Sequence, residues 1–454
     1  MTKGLLTVAE LQALVESDQV DTVLAVFPDL YGRLQGKELD AEFFLDEVAT
    51  EGTGVCAYVL TVDMEMEPTE GYDLASWATG YGDLHVVPDL TTLRRASWRD
   101  RTALVVCDLQ QVDGSAVAVA PRSILRKQIG VAQAAGYEVW AGSELEYYVV
   151  RSSYAEAASV DYAGLERAGA YVEDYSTLRG SRELELDALA RRHLSNSGIP
   201  VESSKGEAGI GQHELNVRYA GVGEMADRHA IYKHVLKDVA AGLGLSVTFM
   251  AKPWDGANGS SSHLHVSLQR EGRNAFAPAD AAEPVETDLM RWFLGGWLHH
   301  APALMAFYAP TVNAYKRYRA GSWAPSALAW GDDNRSVAFR LVGQGEARRI
   351  ECRLPGADCN PYLAYAATLA SGLDGISQRI EPPAKVEGSG YVDEGLAIPS
   401  GLAEAADQLT QSPFAREAFG EDVVRHYAHF FATEAAAFAG AVTDWERRRY
   451  YERI

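Results

Sequence analysis

Residues 143–150 read SELEYYVV, a short run in which charged and apolar side chains alternate. In a β-strand, successive side chains point to opposite faces, so Glu144 and Glu146 would share one face and the apolar residues the other. One strand of this kind indicates no more than an antiparallel sheet with one face towards water. The pattern predicts a strand, and its neighbours decide whether the charged face has a function.

Three later segments show the same alternation, and their charged faces carry mainly carboxylate, imidazole and guanidinium groups. The segments are HELNVRY (213–219), HLHVSL (263–268) and RIECRL (349–354). The side chains on these faces are Glu214, Asn216, Arg218, His263, His265, Ser267, Arg349, Glu351 and Arg353. Four such strands, rich in Glu, His and Arg, predict an antiparallel sheet with a functional surface.

Several carboxylates at short range repel one another unless cations neutralise them. Mg²⁺ or Mn²⁺ suits a donor set of carboxylates with an occasional imidazole. Arginines on the same face suit phosphate or carboxylate groups, which they bind with two parallel hydrogen bonds. The combination predicts phosphoryl-transfer chemistry at a metal site on the sheet.

The sequence lacks the common loop motifs for phosphate binding and for nucleophilic catalysis. It contains no Walker A loop, no GxGxxG between a strand and a helix, and no GxSxG elbow. The run ANGSSSH (257–263) has small residues that would let the backbone approach a ligand closely. The chemistry is therefore expected on the strands and not in a phosphate-binding loop.

The composition is that of a folded globular protein, with 454 residues of which 47% are apolar and 23% charged. This length predicts two or more domains. A net charge of −22 disfavours a nucleic-acid partner.

Four cysteines without a CxxC spacing predict reduced thiols in a cytoplasmic protein. The N-terminus has no signal-peptide h-region, and the apolar stretch 289–310 predicts a buried helix pair and no membrane span.

A domain boundary is predicted near Gly114, between a small β-rich domain (1–114) and a larger α+β domain (115–454). Short strand-like runs precede it, at residues 22–27, 55–62, 84–87 and 103–109. After it, Pro121 is expected to open a helix that Gly136 ends.

Seven segments of the chain follow the order and spacing of the glutamine synthetase family, which the chain resembles from about residue 85 to the C-terminus. They are SELEYY, VESSKGEAGIGQHE, NGSSSHLHVSL, PTVNAYKRY, NRSVAFR, ARRIECRLPGADCNPYLA and SGLDGI. The resemblance implies an α+β fold with a small N-terminal β-grasp domain and a catalytic domain built on a curved antiparallel sheet. It also implies a homo-oligomer, a dodecamer of two hexameric rings in which neighbouring subunits share each active site.

The resemblance assigns roles to residues in the matching motifs. One metal ion is expected at Glu146, Glu207 and Glu214, and a second at Glu144, His263 and Glu351. Glutamate is expected at Asn258, Gly259, Arg317 and Arg353. Arg335 and Arg340 are expected to neutralise the transferred γ-phosphate, and Glu202, His265, Ser267 and Arg349 to contact ATP.

The activity that the resemblance implies is an ATP-dependent ligation in two steps. The glutamate carboxylate attacks the γ-phosphate of ATP, giving γ-glutamyl phosphate. An amine then attacks the activated carbonyl carbon and expels phosphate. Activation is needed because a carboxylate is a poor acyl donor.

Two departures from the family fall on the amine-binding part of the site. The family's DGSS-type segment is missing, since the corresponding residues 67–83 read EPTEGYDLASWATGYGD, although Asp83 matches a second acidic position. In the flap that follows YKR, residues 320–325 read AGSWAP, with Trp323 where the family has a glutamate. An indole accepts no proton, but its face attracts an alkylammonium ion. These changes predict a γ-glutamylamine synthetase for ethanolamine or polyamines.

Three alternatives remain open from the sequence. The chain could be an ordinary glutamine synthetase that uses ammonia, an inactive family member that serves as a scaffold or sensor, or a guanidino kinase. The matched glutamate-binding motifs disfavour the kinase, and the complete set of metal ligands disfavours an inactive protein. The identity of the amine and of the base that deprotonates it stays open, with Asp83 and the carboxylates of residues 70–73 as candidates.

Overall fold

The computed structural model describes residues 3–178, 181–278, 286–391 and 396–454. The strands are β1 (Thr22–Pro28), β2 (Leu34–Asp40), β3 (Thr53–Cys56), β4 (Asp83–Pro88), β5 (Arg94–Arg95), β6 (Thr102–Gln110), β7 (Glu138–Val150), β8 (Val201–Gly206), β9 (Gln212–Val217), β10 (Ala220–Gly221), β11 (Ser246–Thr248), β12 (Ser262–Arg270), β13 (Arg273–Asn274), β14 (Ala327–Leu328), β15 (Trp330–Asp332), β16 (Phe339–Val342), β17 (Arg349–Cys352) and β18 (Leu396–Ala397). The α-helices are α1 (Val8–Glu16), α2 (Ala41–Phe43), α3 (Ala49–Glu51), α4 (Pro121–Ala134), α5 (Tyr154–Ser159), α6 (Ser181–Asn196), α7 (Val222–Gly242), α8 (Asp288–Tyr308), α9 (Pro361–Gln378), α10 (Leu402–Gln411), α11 (Pro413–Phe419), α12 (Glu421–Gly440) and α13 (Asp444–Tyr450).

Two large sheets draw on separate parts of the sequence. The first contains β1 to β6, in the order β2-β1-β6-β4-β3 with β5 beside β6, and its β1–β6 pair is parallel. The second has the order β15-β16-β17-β12-β7-β9-β8 and is curled and mostly antiparallel, with a parallel β15–β16 pair. The α+β fold with a curved antiparallel sheet is thus confirmed. The division at residue 114 and the β-grasp assignment of the first part stay predictions.

The apolar face of the second sheet is buried against helices. Leu145, Tyr147 and Val149 of β7 are fully enclosed. The hydroxyl of Tyr365 on α9 donates to the backbone oxygen of Gly142 on β7 at 2.7 Å. Helix packing thus occupies the apolar face of the sheet, and the opposite, charged face is left for ligands.

The helix that begins at Pro121 ends as expected. Gly136 follows the last turn of α4 with φ +84°, and the backbone amide of Tyr137 donates to the carbonyl of Ala132 at 2.9 Å. This closing bond needs a left-handed residue at position 136, which glycine adopts without a steric penalty.

Two secondary-structure predictions need correction. Residues 53–56 form β3, but Ala57–Leu60 form a 3₁₀ turn, so the expected strand over 55–62 is wrong for most of its length. A short apolar run does not distinguish a buried turn from a buried strand. The expected helix pair at 289–310 is one continuous helix, α8. Gly295 and Gly296 do not break it. A Cβ on Gly296 would lie 2.4 Å from Cα of Gly375, so this glycine lets α8 and α9 pack closely, whereas a Cβ on Gly295 would meet the backbone of Ile380, just after α9.

A buried ionic network joins the two parts of the chain. Arg122 on α4 donates to Asp108 of β6 at 2.6 Å, to Asp89 after β4 at 2.8 Å, and to Asp227 of α7 at 3.0 Å. The guanidinium is compensated by these three carboxylates, which offsets the cost of burying it. Within the described ranges, no helix has the length and apolar character that crossing a membrane requires.

Candidate active site

Strand register brings the charged faces together on one side of the curved sheet. Glu144 of β7 lies opposite His263 of β12, and Glu146 lies opposite Glu214 of β9. Glu351 of β17 lies between His265 of β12 and Arg340 of β16. Residues directly opposite one another share a face, so the register alone aligns these groups across five neighbouring strands.

The first carboxylate cluster consists of Glu146, Glu207 and Glu214, whose oxygens lie within 4.8 Å of one another. Burial and the charge of Glu207 raise the pKa of Glu146 to about 7. Burial and the charge of Glu144 likewise raise the pKa of Glu214 well above its ordinary value. The three carboxylates form an all-oxygen donor set, which fits a hard divalent ion.

The second cluster joins Glu144, His265 and Glu351, again within 4.8 Å of one another. His263 also reaches it, with Nδ1 at 3.2 Å from Oε2 of Glu144 and 3.6 Å from Oε1 of Glu351. The structure therefore places both histidines at this cluster, although the motif assigned only His263 to the metal. Although burial opposes it, the charges of His263, His265 and Arg353 bring the pKa of Glu351 down to about 2. Two carboxylates with imidazole nitrogen suit Mg²⁺ or Mn²⁺.

Two arginines converge on the buried Glu351. Arg353 donates from Nη1 to its Oε1 at 2.6 Å, and Arg340 donates from Nη1 to its Oε2 at 2.8 Å. Arg340 also donates from Nε to Asp333 at 3.1 Å. Both oxygens of Glu351 are thus engaged by guanidinium groups, so the carboxylate orients two of the predicted substrate-binding arginines.

The predicted glutamate-binding residues lie at one side of the cavity. Arg317 is buried and donates from Nη1 to the backbone oxygen of Leu354 at 3.0 Å. A Cβ on Gly259 would lie 2.5 Å from Cγ of Arg317, so only glycine lets the backbone pass this close. The backbone oxygen of Asn258 accepts a hydrogen bond from Tyr148 at 2.9 Å.

A cavity of about 1020 Å³ contains most of the predicted site. The predicted residues that line it are Glu144, Glu146, Glu207, Glu214, Asn258, Gly259, His263, His265, Arg317, Trp323, Arg335, Arg340, Arg349 and Arg353. Glu351 lies buried beside it through its bonds to the two arginines. The described residues that line it all fall between positions 144 and 353.

Three predicted residues do not reach this cavity. Glu202 is exposed on β8, and Ser267 lies further along β12 than His263 and His265. Asp83 is exposed at the start of β4, in the first sheet. Their assigned roles stay predictions.

Several lining residues were not predicted. Lys205 forms an ion pair with Glu207, and its ammonium lies 4.7 Å from the centre of the Tyr175 ring. Gln212 donates to Oε2 of Glu146 at 3.1 Å. The sequence could have indicated Lys205, because it stands two residues before Glu207 and residues two apart in an extended run point to the same face. No sequence pattern indicated Tyr175, since it lies in an irregular segment.

Trp323 stands in the flap with an unusual backbone conformation. Its φ is +63°, a left-handed value that bulky residues rarely adopt, and its side chain is 62% exposed. Its backbone oxygen accepts a hydrogen bond from Nη2 of Arg353 at 3.3 Å. The indole therefore lines the cavity next to an arginine that is expected to hold the acid substrate.

Known proteins resemble this chain in sequence and in fold. Residues 118–450 match the family model described as glutamine synthetase, catalytic domain. Gamma-glutamylethanolamide synthetase GlnA4 of Streptomyces coelicolor is 46% identical over 99% of this chain and 96% of its own. Glutamate–isopropylamine ligase of a Pseudomonas species is 35% identical over 97% of both chains, and the glutamine synthetase of Thermotoga maritima is 32% identical over 98% and 99%. The solved structure titled GmaS/ADP complex superposes with a TM-score of 0.84 at 27% identity, covering 99% of this chain and 100% of the other.

Proposed function

Because the chain belongs to the glutamine synthetase family and is a carbon–nitrogen ligase, we propose that it joins glutamate to a primary amine, with ATP as co-substrate, and forms a γ-glutamyl amide. The observation that carries this proposal is that Trp323, which stands where the resemblance implies a glutamate that serves ammonium, lines the cavity. An apolar wall favours an amine that carries carbon.

The names of two relatives support this choice of substrate. One acts on ethanolamine and the other on isopropylamine, as their names state. Both are small primary amines with an apolar or hydroxylated carbon chain. We infer that the amine of this protein belongs to the same class, with polyamines as longer candidates.

The described residues divide into groups with different tasks. Glutamate is held by Arg317, Arg353, Asn258 and Gly259. The charge of the γ-phosphate during its transfer is stabilised by Arg335 and Arg340. His265 and Arg349, which line the cavity, contact the nucleotide, while for Glu202 and Ser267, which lie outside it, this role stays a prediction. Mg²⁺ or Mn²⁺ at the two carboxylate clusters would screen the negative charge that builds up on the phosphate oxygens.

The proposed reaction has two steps. The glutamate carboxylate attacks the γ-phosphorus, the bond to ADP breaks, and γ-glutamyl phosphate forms. The amine nitrogen then attacks the acyl carbon, loses a proton and displaces phosphate. Trp323 shields the acyl phosphate from water, which would otherwise hydrolyse it.

The base for the amine is proposed to come from a neighbouring copy of the chain. A primary alkylammonium has a pKa of about 10.4 and arrives protonated. Asp83 belongs to the first sheet and is exposed, and it does not line the cavity of its own chain. A homo-oligomer, as a dodecamer of two hexameric rings, would bring Asp83 or the acids of residues 70–73 to the site next to them. A cytoplasmic location also stays a prediction.

The proposal is tested by phosphate release with ATP, Mg²⁺ and glutamate across ammonium, ethanolamine, isopropylamine, putrescine, spermine and aniline. An alkyl or hydroxyalkyl amine is expected to exceed ammonium by more than about tenfold in kcat/KM, the factor that about 1.4 kcal/mol supplies. If ammonium is the best substrate, the protein is an ordinary glutamine synthetase. If no amine accelerates phosphate release, it is an inactive scaffold or sensor.

A further inference from the structure

The side-chain amide of Gln212 joins the first carboxylate cluster to the loop 257–261, which carries the predicted glutamate-binding residues Asn258 and Gly259. Gln212 is the first residue of β9 and is 3% exposed. Its Nε2 donates to Oε2 of Glu146 at 3.1 Å and to the backbone oxygen of Gly259 at 2.9 Å. The same nitrogen donates to Oγ of Ser260 at 3.3 Å. One amide therefore contacts a predicted metal ligand and two residues of the loop.

The other end of the Gln212 amide is also bonded, which fixes its orientation. The backbone N–H of Gly209 donates to Oε1 of Gln212 at 3.0 Å. A reversed amide would turn hydrogens towards this N–H and leave the Gly259 oxygen without a donor. A Cβ on Gly209 would lie 2.6 Å from Oε1 of Gln212, so only glycine lets the two groups come this close. The amide is thus a rigid bridge, since a buried polar group that turned away would lose its partners.

Glu146 is bonded to the same loop directly. Its Oε2 accepts from the backbone N–H of Ser261 at 2.8 Å, and its own backbone N–H donates to the carbonyl of Ser261 at 3.0 Å. Oε2 of Glu146 therefore accepts from both Ser261 and Gln212. Hydrogen bonds to a metal-binding carboxylate orient it for the ion. An ion that holds Glu146 in this orientation would also fix Gln212, and through it the carbonyl of Gly259.

A separate bond supports the loop without the help of Glu146. The hydroxyl of Tyr148 on β7 donates to the backbone oxygen of Asn258 at 2.9 Å. None of the hydrogen bonds described for this hydroxyl reaches the first cluster. Tyr148 and Gln212 therefore hold neighbouring carbonyls of one loop, but only Gln212 also holds a predicted metal ligand. This difference allows support of the loop to be separated from coupling to the metal site.

We propose that Gln212 is a positioning residue that couples metal binding at the first cluster to glutamate binding at the loop 257–261. The inference rests on the proposed function, since it takes glutamate as the acid substrate and a divalent ion at Glu146. An ion at the cluster orders the loop, so glutamate then binds with a smaller loss of conformational entropy. Linkage requires that glutamate strengthens metal binding by the same factor.

The test is calorimetric binding of glutamate to the full chain, without amine, after removal of metal with a chelator and again at saturating Mn²⁺. The coupling factor is the ratio of the two dissociation constants. It is expected to be about tenfold in the wild type and about twofold or less in Gln212→Met. The dissociation constant of Mn²⁺, measured with and without glutamate, should change by the same factors. A coupling factor that is equal in the two proteins, or absent from the wild type, would overturn the proposal.

Gln128→Met is the matched control, because Gln128 is also a buried glutamine whose Nε2 donates to a backbone oxygen, that of Ala418 at 2.9 Å, and it does not line the cavity. It is expected to keep the wild-type coupling factor. Tyr148→Phe is expected to weaken glutamate binding equally with and without Mn²⁺, which leaves the coupling factor unchanged. Loss of coupling in either protein would show that the effect is not specific to Gln212 and would reject its role.

Gln212→Asn is the second variant, for the case that the loss of buried hydrogen bonds unfolds Gln212→Met. It keeps an amide but is one methylene shorter, so it cannot span the distance between Glu146 and Gly259. Its coupling factor is also expected to fall to about twofold, within the lower range of such couplings. A wild-type factor in folded Gln212→Asn would reject the bridge.

Hydrogen exchange gives a readout that requires neither activity nor glutamate. Mn²⁺ is expected to slow amide exchange in wild-type peptides that cover residues 257–261, and to do so much less in Gln212→Met. Exchange that responds to Mn²⁺ equally in the two proteins would reject the role of Gln212 whatever the amine is. An amine panel that favours ammonium would reject the proposed amine alone, whereas a wild type that binds no glutamate would reject the proposed function together with this inference.

Discussion

Nη1 of Arg353 lies 2.6 Å from Oε1 of Glu351, so a residue expected to hold the acid substrate is bonded to one expected to hold a metal ion. The same guanidinium donates from Nη2 to the Trp323 backbone oxygen. Arg353 therefore connects the metal cluster, the flap and the glutamate site. Its fork geometry is what allows one side chain to contact all three.

Replacing Arg353 with lysine is expected to raise the KM for glutamate by about tenfold or more, because an ammonium group cannot reproduce the fork. Steady-state kinetics at saturating ATP and amine measures this change. Arg291→Lys is the matched control, since Arg291 forms a similar fork with Glu381 at 3.1 Å outside the cavity. A KM for glutamate that stays at the wild-type value in Arg353→Lys contradicts the assignment.

Glu214→Ala is expected to abolish turnover by removing a ligand from the first carboxylate cluster, at a cost of several kcal/mol in charge stabilisation. A titration of the variant with Mn²⁺, measured by calorimetry, should show one metal-binding site fewer than in the wild type. The exposed Glu271→Ala serves as a control for the removal of one negative charge. Near-normal phosphate release by Glu214→Ala at saturating Mn²⁺ would reject the metal role.

The stability of the metal-free protein should depend on the ionisation of Glu146. Its folded-state pKa of about 7 exceeds the ordinary 4.5, so ionisation costs the folded state free energy that grows as pH rises through this window and is complete above pH 7. Glu146→Gln stays neutral and escapes this cost. In the presence of a chelator, the free energy of unfolding of Glu146→Gln is expected to exceed that of the wild type by a larger margin at pH 8 than at pH 6. The two margins should differ by about 1 kcal/mol, the equivalent of roughly one pH unit.

Thermal unfolding of both proteins at the two pH values measures this difference. Saturating Mn²⁺ should reverse the order and make the wild type more stable than Glu146→Gln, because the ion stabilises the ionised carboxylate and binds the wild type more tightly. An advantage that is identical at pH 6 and pH 8 would show that Glu146 ionises at its ordinary pKa.

Trp323→Glu is expected to narrow the preference for ethanolamine over ammonium. The change removes an apolar wall, whose contact contributes roughly 1 to 3 kcal/mol per well-buried side chain, and it supplies a carboxylate that attracts ammonium. The ratio of the two kcat/KM values measures the effect, with Trp445→Glu as a control at an exposed indole of α13 that does not line the cavity. An unchanged ratio in Trp323→Glu would exclude the ring from the amine pocket.

Arg122→Met should destabilise the protein by about 3 to 5 kcal/mol, because it leaves the carboxylates of Asp89, Asp108 and Asp227 without their buried partner. Arg126→Met is the matched control. Arg126 contacts two of the same acids, but its side chain is 49% exposed against 9% for Arg122, so its loss should cost at most about 1 kcal/mol. Chemical denaturation compares them, and similar losses in the two variants would contradict the buried network.

Local periodicity was sufficient to place individual candidate ligands on one face of a strand. The alternation in SELEYYVV put Glu144 and Glu146 on one face, and the cavity confirms that both side chains reach it. The same reasoning located Glu214, His263 and Arg353, because side-chain direction in a strand depends only on the parity of the position. Pro121 and Gly136 likewise determined where α4 begins and ends, through backbone constraints that act within a few residues.

What the tertiary structure decided is which of these groups meet. Register alone sets His265 beside Glu351, and Arg353 donates to the backbone oxygen of Trp323 across 30 positions of the chain. The stretch 289–310 predicts a helix pair, yet it forms one helix in which Gly296 serves the contact with α9, because a glycine's role depends on what lies against it. Periodicity determines the face of a strand, but pairing partners depend on long-range packing, for which no local pattern exists.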